Sequence, residues 1–150
     1  MRHILALCVS AFLVVALAGC AAQQPKMVET ASGKPEAFFE GKTPDEVASL
    51  LAASCIQRGW MVDSSSGGNV KCSRPASGGQ DFAVQMMYGA GAQATQYLNF
   101  FAIKAGDGTK AYAQSMVEVI KQFGGRQAVQ LDTNEAFNSM MEWLYSVGGK

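Results

Sequence analysis

The spacing of apolar residues changes period several times between residues 43 and 150, and each period predicts an element. Val47, Leu50, Leu51, Ser54 and Cys55 recur at helical spacing and predict a helix over 44–58. Thr43 can cap it, Pro44 suits the first helical position, and Glu46 completes a capping box; Gly59 ends it. Residues 60–63 and 70–74 read as two strands joined by a turn at 64–69. Over 81–88, Phe82, Val84, Met86 and Tyr88 alternate with Ala83, Gln85 and Met87, which predicts a third strand. Residues 95–104 form the longest alternation. Tyr97, Asn99, Phe101 and Ile103 share one face, and Leu98, Phe100 and Ala102 the other. After a turn at 106–109, Tyr112, Met116, Val119, Ile120 and Phe123 predict an amphipathic helix stopped at Gly124-Gly125. A connector with short-strand character follows at 126–131. Asp132 and Glu135 make a second capping box, and Phe137, Met140, Met141, Leu144 and Tyr145 line a last helix.

Together these elements predict an α+β fold. It has a four-stranded antiparallel meander with about three helices packed on it, in the order helix, four strands, two helices. Strand 95–104 is apolar on both faces, whereas a two-layer domain buries one. Coverage of both faces by the chain's own helices is the simpler expectation; the other is a face kept for a partner. In that second case Asn99 marks the wetter face. Leu98 and Phe100 then enter the core, and Tyr97 and Phe101 form a partly exposed aromatic pair. With Trp60 they are the candidate interface residues, since aromatic side chains are enriched where interfaces are strong.

The N-terminus carries a different pattern. Arg2 and His3 precede an apolar run from Ile4 to Ala18, which ends in Leu17-Ala18-Gly19-Cys20. The run has the length of a signal-peptide hydrophobic region and is short for a membrane span. Basic start, apolar run and Leu-Ala-Gly-Cys together resemble the signal and lipobox of bacterial lipoproteins, over residues 1 to about 22 only. The resemblance implies lipidation of Cys20 and cleavage before it. Ala21 in place of Asp implies passage to the outer membrane. The domain is then expected to face the periplasm, with the cell surface as the other orientation. The expected organisation is a signal peptide at 1–19, a lipidated Cys and flexible tether at 20–42, and a single domain at 43–150. Such a tether has a reach of roughly 25 Å.

Charge sharpens the picture by exclusion. The chain has 12 basic and 12 acidic residues and no basic tract, so nucleic acid is not the expected partner. Its single histidine is His3, inside the signal, which leaves the mature chain without histidine-based catalysis. Of the 4 cysteines, Cys8 departs with the signal and Cys20 carries lipid. Cys55 and Cys72 remain as a pair in an oxidising compartment, where a disulfide is expected. Asp45, Glu46, Asp132 and Glu135 already serve helix starts, and no cofactor or metal is called for. Met86-Met87 and Met140-Met141 fit core filling better than copper binding. The expectation is a non-enzymatic, lipid-anchored envelope protein that binds a periplasmic protein, as an accessory subunit or an inhibitor or immunity-type lipoprotein. The alternative is a module that binds a small ligand or an envelope polymer such as peptidoglycan.

Overall fold

The computed structural model describes residues 24–77, 79–121 and 124–150. The signal segment 1–19, Cys20, Phe123 and the side chain of Phe82 lie outside the described residues. Strand β1 spans Glu36–Phe39 and helix α1 Pro44–Gln57; β2 (Met61–Ser66) and β3 (Asn69–Pro75) form a hairpin. Helix α2 covers Gly79–Tyr88, β4 Gln93–Ala105, β5 Gly108–Ile120, β6 Arg126–Gln130 and α3 Asn134–Ser146.

The fold is α+β with an antiparallel sheet and three helices, but the sheet has six strands rather than four and the helices fall elsewhere in the order. Residues 81–88 belong to α2, not to a strand. Alternation over so few residues fits either period; here Val84 and Tyr88, one turn apart, pack on Ala94 and Val119. Conversely, most of the helix expected over 112–123 is strand β5. Tyr112, Met116 and Val119 do recur at helical spacing, but Ala111, Ala113 and Val119 alternate into the core, and the small buried residues carry the decisive period. A two-residue loop, Gly106-Asp107, turns β4 directly into β5, with Gly106 at φ 58°.

The sheet order is β1-β5-β4-β3-β2, and β6 also pairs with β5. Since β4 occupies one side of β5, β1 and β6 lie end to end along its other edge. β1 pairs with Thr109–Tyr112 and β6 with Met116–Ile120. The domain therefore begins earlier than residue 43: Phe39 is buried, and the Phe38 amide and carbonyl exchange hydrogen bonds with Lys150 on the outer side of β1. Residues ahead of β1 are also held. Asn134 Nδ2 donates to the Gln24 carbonyl and Asn138 Nδ2 to the Pro25 carbonyl, both at 2.9 Å, while the Met27 amide donates to Asn138 Oδ1.

Helix α1 starts as its sequence dictates, with Thr43 and Glu46 closing the capping box. It buries Val47, Leu51 and Cys55 against Val70, Leu98 and Phe100, beside Trp143 and Leu144 of α3. The Cys55–Cys72 disulfide joins the last turn of α1 to β3 across 17 residues. Gly67 and Gly68, both at positive φ, turn the β2–β3 hairpin. The Gly68 carbonyl accepts from the Ala102 amide at 2.7 Å, and the Ala102 carbonyl stands where a Cβ on Gly68 would sit.

Candidate functional site

Register decides which side chains share a face. Leu98 pairs with Cys72 and Ser115, Phe100 with Val70 and Ala113, and Ala94 with Val119. All three helices pack on this side: α1 and α3 over Leu98, Phe100 and Ala111, α2 over Ala94 and Val119. Among the described residues no helix covers the other side. Helix coverage of both faces, the simpler expectation from sequence, is therefore not what the fold does.

The open face presents Tyr97, Asn99, Phe101 and Ile103 from β4. Beside them β5 presents Lys110, Tyr112, Gln114, Met116 and Glu118. Phe101 lies directly opposite Tyr112; Phe101 is 42% and Ile103 51% exposed, against 0% for Phe100. Polar contacts organise the rest. The Lys71 ammonium sits 4.2 Å from the Tyr97 ring centre. Burial, reinforced by the Glu118 carboxylate, pushes the Tyr97 hydroxyl above its usual value of 10.0. Arg126 of β6 pairs with Glu118 at 3.7 Å, and Asn99 Nδ2 donates to Met116 Sδ. At the far end Lys110 bonds Glu36 at 3.2 Å. The Ser32 hydroxyl and this ammonium hold the Glu36 carboxyl below its usual 4.5 against the opposing effect of burial.

A cavity of about 740 Å³ opens at the edge of this face, where β1 has ended and β6 has not begun. Its floor is apolar, with Pro35, Phe101, Ala113, Phe137 and Met140. One wall is a chain of polar side chains: Gln114 Nε2 donates to Gln130 Oε1, and Gln130 Nε2 donates to Asp132 Oδ1 at 2.5 Å. Lys26 and Lys34 stand at the rim, Lys26 over the Phe137 ring at 4.7 Å. The ladder is incomplete here for a chemical reason. The Ala113 amide donates to the Pro35 carbonyl at 2.9 Å, but proline has no N–H to return the bond. The Ala113 carbonyl is left on the cavity side of β5 without its ladder donor.

Trp60, expected at the interface, lies instead in the core on the helix-covered side. It is 7% exposed, edge-on to Trp143 at 6.0 Å, with the Arg74 guanidinium 4.2 Å from its ring centre. It borders a second cavity of about 490 Å³, where Arg58 covers Trp143 at 4.4 Å. Met140 and Met141 fill the core, whereas Met86 and Met87 are exposed on α2.

Tyr97 and Phe101 therefore share the open face and Trp60 does not join them. Tyr112 and Met116 belong to that face and were hidden by the helical reading of their segment. The alternating small residues Ala111 and Ala113 carried the signal that could have found them. Gln114, Gln130 and Asp132 meet only through the pairing of β5 with β6, and nothing local announces it. Among the described residues no group of three or more His, Cys, Asp and Glu could hold a metal ion, and no helix is long and apolar enough to cross a membrane. No family model, no curated protein and no solved structure matches the chain.

Proposed function

We propose that the chain is a non-enzymatic envelope lipoprotein, anchored in the outer membrane through Cys20, that captures a periplasmic protein on the open face of its sheet. The observation that carries this reading is the uncovered aromatic surface of β4 and β5. Phe101, Ile103 and Tyr112 form an apolar centre, and Lys71, Glu118 and Arg126 a charged border. That is the composition of an interface, with an aromatic core and a polar rim. Anchoring rests on the lipobox, and two or more acyl chains suffice for a stable hold.

The test has two arms. Mild crosslinking in cells followed by mass spectrometry should recover one protein at fixed stoichiometry, and Tyr97→Ala with Phe101→Ala should abolish its capture while the domain stays folded. Cys20→Ser should end palmitate incorporation and leave the precursor uncut. Capture that survives the double substitution overturns the interface, and palmitate labelling of the Cys20→Ser chain overturns the anchor.

A further inference from the structure

The cavity between β1 and β6 differs in chemistry from the open face beside it, and its groups converge on one kind of ligand. We propose that it is a binding site for an N-acetylated, acidic saccharide unit. A site of about 740 Å³ is the size that takes a small ligand, and an apolar lining with a few convergent polar groups is the usual make-up.

Each part of the site matches one part of such a sugar. The Ala113 carbonyl, deprived of a ladder donor by Pro35, is an acceptor for the N–H of an acetamido group. Phe137 and Met140 offer apolar contact for its methyl. The Gln114–Gln130–Asp132 chain fixes its members through one another and still leaves capacity. Each amide keeps a second N–H, and Asp132 keeps its other carboxylate oxygen, for ring hydroxyls. Phe101 and Tyr112 supply apolar surface for the C–H side of a sugar ring. Lys26 and Lys34 supply positive charge for a carboxylate at the rim. An alkyl chain would leave the amide–carboxylate wall and the Ala113 carbonyl without partners, and unpaired polar groups covered by a ligand cost affinity. The site therefore favours a saccharide over a lipid tail. Phe101 and Tyr112 border both surfaces, but the polar groups that would select the sugar lie on β6, the turn into α3 and the edge of β5, so the inference does not depend on protein capture by the open face.

The test is calorimetry on the mature chain in zwitterionic nanodiscs. The probes are an acidic N-acetylated disaccharide of the peptidoglycan type, its neutral N-acetylated counterpart, and a dodecanoate. The acidic disaccharide should bind saturably at one site. Asp132→Ala, at an exposed position, should weaken both sugars about tenfold or more with the melting temperature kept. Lys34→Ala should weaken the acidic sugar and leave the neutral one unchanged. Ala136→Leu, which narrows the cavity, should weaken all binding there. Three results overturn the proposal: no saturable binding by the folded wild-type chain, binding unchanged by Asp132→Ala, or occupancy by dodecanoate with neither sugar bound. None of them bears on capture of a protein by Tyr97 and Phe101.

Discussion

Leu98 and Phe100 leave β4 on one side, Tyr97 and Phe101 on the other, and the two pairs are about equally apolar in kind. Their fates differ because of what the rest of the chain does. Three helices converge on the first pair, and Phe100 is 0% exposed; Phe101, one residue on, is 42% exposed. Hydrophobicity alone therefore does not assign a face. The neighbours do: Val70, Cys72 and Ala113 flank the covered side, Lys71, Asn99 and Gln114 the open one. A sheet that spends aromatic residues on an uncovered face keeps them for something other than its own core.

The sharpest break in this comparison comes from adjacent residues. Phe100→Ala should cost about 3–5 kcal/mol, measured by chemical denaturation, because it opens a cavity under α1 and α3. Phe101→Ala should stay within about 1 kcal/mol. Equal losses at the two positions would erase the distinction between the faces.

Next in size is the disulfide, which belongs to the covered side alone. Cys55→Ala with Cys72→Ala should cost about 3 kcal/mol, from the chain entropy of a 17-residue separation. It should leave partner capture by the remaining folded molecules intact. In the oxidised wild-type protein neither thiol should react with an alkylating agent before reductant is added.

The smallest effect sharpens the open side. The Glu36 carboxyl is lowered below 4.5 in the folded state, so the unfolded chain binds its proton first as pH falls. Its stabilising contribution is complete above about that unfolded value and is lost as pH drops through the lower folded one. Glu36→Gln should therefore lower stability at neutral pH, by about 1 kcal/mol for a pair whose lysine remains partly solvated, and the difference from wild type should vanish in acid. Melting curves from neutral pH down to pH about 3 check it. A gap that widens in acid would reverse the sign and discard the account.

Much of the molecule was legible where a local rule was sufficient. Thr43-Pro44-Asp45-Glu46 specified the start of α1, and the capping box is present. The alternation of 95–104 specified β4, while which of its faces is covered was left open, because the helices that decide it come from elsewhere in the chain. Two lone cysteines specified their own pairing. The errors fall where two periods compete. In 79–88 only Val84 and Tyr88 meet the core cluster among the side chains described, so the helix is set by where it docks rather than by a long stripe. In β5 the helical spacing of Tyr112, Met116 and Val119 spans two faces of a strand. Pairing with β4 along 13 positions overrides it, a tertiary preference that no window of the sequence contains. The edge cavity was illegible for the same reason. It exists because β1, arriving from residues 36–39, and β6, arriving from 126–130, stop short of each other along one strand.

On the proposed lipid anchor, the two asparagines of α3 that grip residues 24–27 would alter the geometry at the bilayer. Were Cys20 lipidated as proposed, the slack between lipid and protein would shrink from a coil of some twenty residues to the four peptide links from Cys20 to Gln24, about 14 Å at full stretch. Clearance above the headgroups would then be small, with the chain held at the start of α3. A partner in the same membrane would then be met by a search in two dimensions, within a thin layer that raises its effective concentration without any added contact. Asn134→Ala with Asn138→Ala would lengthen the leash and return that search to three.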